Sequence, residues 1–223
     1  MASNSAENIR WDLSDLFADP NDARIESTLK ECRAQSEAFA KQFRGAMESP
    51  ATLSAETLRR ALGDLETIYE ALGRVGSYAG LIYAADTAKP ENQDLEQRVE
   101  QRSTEIRNLL LFFELAWLKV EDEVADKLVN DPKLKSFAHY LTSLRRYRPH
   151  TLSELEEKLI NEKDNSGRNA FGRLFSEMTS SLTFKLEREG KTEELNPTSR
   201  IGNPKKYLGG RKFTETNEST AAI

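Results

Sequence analysis

Residues Tyr147–Glu189 read YRPHTLSELEEKLINEKDNSGRNAFGRLFSEMTSSLTFKLERE, and the punctuation of this stretch decides the fold class. Pro149 halts a helix, because its ring carries no amide hydrogen and clashes with the preceding turn. Ser153 and Glu156 then form a capping box that restarts the chain as a helix, with Leu152 placed to staple its start. Asn165-Ser166-Gly167 breaks that helix. Phe171, Leu174, Phe175 and Met178 recur at helical spacing and define another. Beyond it Leu182, Phe184 and Leu186 alternate with Thr183, Lys185 and Glu187. Glu189-Gly190-Lys191 reads as a turn, and Thr192 to Leu195 as the returning strand of a β-hairpin.

Upstream the texture is helical throughout. Trp11 to Phe17 (WDLSDLF) places four large apolar residues in seven positions, and Asp19-Pro20-Asn21 offers cap and turn chemistry for a first long helix. Ile25, Leu29, Cys32, Phe39, Phe43 and Met47 mark its apolar stripe, and Pro50 ends it. Ser54 is the expected N-cap of a second long helix carrying Leu58, Leu62, Leu65, Ile68, Tyr69, Leu72, Val75, Ala79, Ile82 and Tyr83. Gly73, Gly76 and Gly80 in that helix suggest either close approach of a neighbouring helix or a kink. Pro90 opens a third helix whose stripe, from Leu95 to Leu128, predicts one continuous rod of ~50 Å. Asp131-Pro132 should then open a helix with Leu134, Phe137, Ala138, Leu141 and Leu144 on its inner face.

The predicted fold is therefore mainly α, with bundled, antiparallel long helices and one β-hairpin near the C-terminal end. Residues 1–20 read as an N-terminal arm, 21–180 as a helical domain and 181–195 as the hairpin. Residues 196–223 follow neither helical nor strand period and carry five basic residues against two acidic ones; they read as a disordered, divergent tail.

Composition narrows the function. The 223 residues carry a net charge of −5, with 31% charged and 38% hydrophobic side chains. The isoelectric point is near 5.4 and the mean hydropathy is −0.65. An acidic chain with no basic stripe argues against nucleic-acid binding. Leu109–Leu118, the longest apolar run, is interrupted by Glu114 and is too short to span a bilayer. A start with Arg10 as its one basic residue and no apolar run does not read as a secretory signal. The single Cys32 suits a reducing, cytoplasmic setting.

The candidates for chemistry are few. A catalytic zinc site of the H-E-x-x-H kind needs two histidines at i and i+4 on one helical face. The two histidines, His139 and His150, are eleven positions apart, with Pro149 between them. Glu154 follows His150 by four residues, but the intervening turn and the Ser153 cap separate them. Cys32 lies on an apolar stripe, where a buried, inert thiol is expected. Glu156 and Glu157 suit a helix first turn, and Arg145, Arg146 and Arg148 with Tyr147 suit a helix end. Residue by residue, no catalytic, cofactor-binding or metal-binding set emerges.

Several motifs in order carry a resemblance. They are WDLSDLF, Leu72-x-x-Val75-x-Ser77-Tyr78-Ala79-x-Leu81, Ala85-Asp86-Thr87, and Arg146-x-x-x-His150-x-Leu152-Ser153-x-x-Glu156-Glu157 with the Phe171, Leu174 and Leu182-Thr183-Phe184 positions after it. This pattern, from Trp11 to about Leu195, resembles the N-terminal region of oligoendopeptidase F, a branch of the thimet-oligopeptidase-like zinc metallopeptidases. The resemblance implies a wall of the deep channel that admits short peptides. It implies zinc in the full-length family, held by an H-E-x-x-H motif and a further Glu that this sequence lacks. The expectation is a truncated, catalytically inert portion whose partners are short peptides, the missing C-terminal catalytic part, or itself through self-association. Uncovered apolar surface is expected on the Gly73–Gly80 face or the Leu95–Leu128 helix. The alternative is a stand-alone helical binding or scaffold protein that reuses the fold.

Overall fold

The computed structural model describes residues 12–49, 53–188 and 191–195. The expected tail, residues 196–223, lies outside the described residues. The chain divides between Leu174 and Phe175 into a helical unit, Asp12–Leu174, and a second unit that includes the described residues from Phe175 onward.

Helix α1 (Ala23–Met47) begins one position later than the Asp19-Pro20-Asn21 signal suggests. Its N-cap is Asp22, whose carboxylate accepts the amide hydrogens of Arg24 and Ala18, each at 2.9 Å. The Arg24 amide, which would otherwise be orphaned at the helix start, is thereby satisfied, and the Ala18 contact ties the preceding turn to the cap. Helix α2 (Ala55–Ala85) starts at Ser54, whose hydroxyl accepts from the Thr57 amide. Both helices bury the stripes that their periodicity marks, from Ile25 to Met47 on α1 and from Leu58 to Ala79 on α2.

Gly73, Gly76 and Gly80 neither meet a neighbouring helix nor break α2. The helix runs through all three, and a Cβ placed on any of them meets nothing within 4 Å. Both sequence-based expectations for this face are therefore corrected: the glycines sit on the exposed side of an uninterrupted helix.

Helix α3 (Pro90–Lys119) is the central element of the unit, packing against both α1 and α2. Phe112, Phe113, Leu115, Trp117 and Leu118 are all buried, so its C-terminal half is enclosed on several sides. Phe39 of α1 gathers the rings of Phe43, Phe112 and Phe113 at centroid distances of 4.9, 5.8 and 5.7 Å. Near the start of the described chain, buried Phe17 meets the edge of Tyr78 at 5.3 Å.

The continuous rod from Leu95 to Leu128 does not form. Helix α3 ends at Lys119, Val120 is extended at φ −62° and ψ 132°, and a short α4 (Asp122–Val129) follows. The break is held from outside the segment. The guanidinium of Arg145 donates to the carbonyls of Trp117 (3.2 Å) and Val120 (2.9 Å), supplying partners to the end of α3. It also pairs with Asp122 at the first turn of α4. A periodic apolar stripe cannot report a helix end capped by a residue twenty-five positions away.

Asp131-Pro132 opens a 3₁₀ turn, Pro132–Leu134, and helix α5 (Ala138–Arg145) starts only at Ala138. Leu134 and Leu141 are fully buried, and the indole N–H of Trp117 donates to the Leu141 carbonyl at 2.9 Å, tying α5 to α3. Helix α6 (Glu154–Ser166) has the expected capping box between Ser153 and Glu156. The hydrophobic staple is absent, because the position that Leu152 would meet is Glu157; its carboxylate accepts the Leu152 amide hydrogen at 3.0 Å instead. Gly167 separates α6 from α7 (Arg168–Ser181). A Cβ at Gly167 would lie 2.8 Å from the Lys163 carbonyl oxygen, which explains the glycine.

In the second unit, strands β1 (Phe184–Arg188) and β2 (Lys191–Leu195) pair antiparallel, with Phe184 opposite Leu195 and Arg188 opposite Lys191. The turn expected at Glu189-Gly190 lies outside the described residues. The fold is mainly α. The exposed apolar residues correct one further expectation: they concentrate on α6 and α7, not on the glycine face or on α3.

Candidate functional site

A small concavity of the helical unit lies where α1, α3 and α6 meet. Met47, Phe112, Leu115 and Ala116 form its floor, and Arg44, Glu48, Lys119 and Glu154 its rim; its volume is about 240 Å³. That is small against the 300–1,000 Å³ typical of ligand pockets. Across its mouth Arg44 and Glu154 make a two-pronged pair, Nη1 to Oε2 and Nη2 to Oε1, both at 3.0 Å. The Arg44 guanidinium also lies over the Phe112 ring, 4.3 Å from its centroid, a favourable cation–π placement. Lys158 Nζ reaches Glu154 Oε1 at 2.7 Å.

These contacts fix what Glu154 can do. The Arg44 hydrogen bonds, more than the Lys158 contact, hold its carboxyl down at about 2. A carboxylate with two cationic partners has no proton to give near neutrality and little basicity to take one. It is also a poor ligand for zinc, since a divalent ion would sit beside two fixed positive charges. The His150–Glu154 pair weighed from sequence is thus resolved into separate roles. His150 is exposed in the 3₁₀ turn Arg148–His150, and Glu154 clamps α6 to α1. His139 is exposed on α5, with Nε2 3.4 Å from the Ser143 hydroxyl. The residues present do not fit the family's zinc site. Among the described residues, no three His, Cys, Asp or Glu side chains gather where they would hold a metal ion.

Other candidates have structural surroundings. Cys32 is buried, its sulfur 4.0 Å from the Ile68 carbonyl, and burial pushes its thiol up. Such a thiol is a weak nucleophile. Glu156 completes the α6 capping box, and its hydrogen bonds to Ser153 hold its carboxyl down. Arg148 pairs with Asp122 at 3.0 Å, beside Arg145. Tyr147 is exposed.

Two polar clusters escape periodicity. Glu114, the one acidic residue in the Leu109–Leu118 run, accepts the Tyr140 hydroxyl at 3.0 Å. Burial pushes its carboxyl up and pushes neighbouring Tyr69 up to about 12. A charge interrupting an apolar run was the available signal. The second cluster joins Arg173 of α7 to Glu100 and, at 3.8 Å, to Glu96 of α3. Burial first, and Glu100 second, push the Glu96 carboxyl up. No sequence signal linked residues so far apart. Asn161 to Asn108 (3.0 Å) and Thr104 to Asn165 (3.1 Å) complete a polar seam between α6 and α3.

The sequence profile of the family described as Oligopeptidase F matches residues 117–184, from the end of α3 to the start of β1. An oligoendopeptidase F homolog of Borreliella burgdorferi is 27% identical over 154 residues, covering 69% of this chain and 25% of that protein. Oligopeptidase PepF of Bacillus subtilis is 28% identical over 155 residues, covering 68% of this chain and 22% of that protein. The crystal structure of oligoendopeptidase-F from Enterococcus faecium shares the fold, with a TM-score of 0.61 at 20% identity over 78% of this chain and 34% of that one. The chain thus spans about a quarter of the length of the curated relatives it matches. No helix among the described residues is long and apolar enough to cross a membrane. Local sequence and overall fold agree that the chain is similar to part of oligoendopeptidase F, in a matched segment of its sequence and in the fold of its helices.

Proposed function

We propose that this chain supplies the N-terminal, channel-wall helical portion of a zinc-dependent oligoendopeptidase that hydrolyses short peptides, and that it is catalytically inert by itself. One observation carries the reading. The matched sequence covers only 25% of the relative's length, and its two histidines do not form the H-E-x-x-H pair such chemistry requires. In this reading the residues 21–180 form the wall, and zinc, substrate and hydrolysis belong to the longer family members. The clamped Glu154 and the buried Cys32 then act as packing and ion-pair residues. A single, buried, unpaired cysteine suits a reducing, cytoplasmic setting.

The test is direct. The purified chain is incubated with internally quenched peptides of several lengths, and its metal content is measured after dialysis. No turnover and no stoichiometric zinc are expected. Peptide cleavage, or one tightly held zinc per chain, would overturn the proposal.

A further inference from the structure

Helix α6 faces the body with its polar side. Its half-buried residues are Glu154, Glu157, Lys158, Asn161, Asp164 and Asn165, and each of them is polar. Spaced at i, i+3, i+4, i+7, i+10 and i+11, they share one face of the helix. Leu155, Leu159 and Ile160 lie off that face and are 78%, 53% and 43% exposed. No residue of α6 is buried. The apolar core, with the side chains packed against it, runs from Leu13 to Leu144 and takes nothing from α6.

What holds α6 in place is therefore a short set of polar contacts. Arg44 of α1 grips Glu154 in the first turn, and Asn161 donates to the Asn108 side chain at the middle. Near the end Thr104 donates to the Asn165 side chain, and Arg173, paired with Glu100, donates to the Asn165 carbonyl at 3.2 Å. Each of these contacts replaces one with water, so its net hold is small beside that of buried apolar surface. The helices of the body are joined the other way, by the apolar stripes of α1, α2 and α3. Exposed residues 146–150 lead into the α6 segment, and Gly167 leads out of it.

We propose that α6 is a strap that opens from the body of α1, α2 and α3 as one cooperative unit while that body stays folded, with the Arg44–Glu154 pair as its catch. A detached helix of 13 residues is marginal in water, so the strap unravels once released. Opening takes Glu154 from the rim of the concavity and frees the Arg44 guanidinium, which lies over Phe112 and keeps a looser contact with Glu48 at 3.9 Å. The open state thus offers an outside carboxylate a cation above an apolar floor.

Hydrogen–deuterium exchange of the full 223-residue chain, read by mass spectrometry, tests the strap. The amides of α6 are expected to exchange together, about a hundredfold faster than those of the buried C-terminal half of α3, and to respond little to low urea. The α3 amides should accelerate with urea as global unfolding does. Glu154→Gln should speed α6 exchange by about threefold or more and leave α3 unchanged. Asn161→Ala, which removes the contact with Asn108, should act in the same direction and gives a second reading. Arg33→Gln breaks an exposed pair between α1 and α3 and should leave α6 unchanged. Exchange of α6 at the α3 rate, with the α3 urea dependence, would overturn the proposal. Fast α6 exchange that Glu154→Gln leaves unchanged would make α6 a helix frayed on its own account, without a catch. Equal acceleration of α3 by Glu154→Gln would make α6 part of the body's single cooperative unit; either result overturns the strap.

Discussion

Replacing Arg145 with Ala should destabilise the helical unit by about 3–5 kcal/mol. The guanidinium has 14% of its side chain exposed and serves the carbonyls of Trp117 and Val120, residues that are themselves fully buried. A hydrogen bond from a charged donor contributes roughly 1.5–3 kcal/mol, so two give about 3 kcal/mol at the low end. Loss of the cation over the Trp117 ring, 5.6 Å from its centroid, adds about 0.5–1 kcal/mol. Nothing is added for Asp122, which is solvent-exposed. Arg145→Lys should lose roughly half as much, because a compact ammonium cannot span two carbonyls as a planar fork does. The assay is urea unfolding followed by far-ultraviolet circular dichroism, with exposed Arg146→Ala as a control expected within about 0.5 kcal/mol of the parent. A loss below about 1 kcal/mol for Arg145→Ala, with unchanged unfolding slope, would refute the account of the α3–α4 break.

Gly73→Ala, Gly76→Ala and Gly80→Ala should each raise stability by about 0.4–1 kcal/mol, because α2 is regular there and a Cβ meets open space; thermal melts of the singles and the triple would expose a hidden contact as a destabilised variant. Glu114→Gln tests the buried carboxyl beside Tyr140. Its folded pKa is raised above the ordinary 4.5, so the folded state holds its proton more tightly, and stability falls as pH rises from about 4.5 through the folded value. The Gln variant should be more stable than the parent at pH 7 and should flatten that part of the profile, while Glu96, also raised, retains a slope of the same sign. Urea midpoints measured from pH 4.5 to 8 that coincide for parent and variant would refute it.

Much of the local architecture was legible in the residues alone. The stripes of α1 and α2 were read correctly because an amphipathic helix on a core must repeat its apolar residues every three or four positions. Ser54 and the Ser153–Glu156 box marked helix starts, since capping satisfies amides within three residues of the cap. The family resemblance was legible too, because it rests on ordered local motifs.

Tertiary structure decided what those local rules do not encode. The apolar stripe runs on through Val120, yet α3 ends at Lys119, where Arg145, arriving from α5, serves the carbonyls of Trp117 and Val120. The glycines of α2 promised a close neighbour, but helix packing left that face in water. Glu154 was weighed as a metal ligand on its spacing from His150, until Arg44, 110 residues earlier, claimed both its oxygens. The stripe of α7 has the periodicity of a core face, and sequence alone would bury it. Periodicity reports that a helix has two unlike faces; which of them is covered is settled by partners elsewhere, here Glu100 pairing with Arg173 while Phe171 and Leu174 stay exposed.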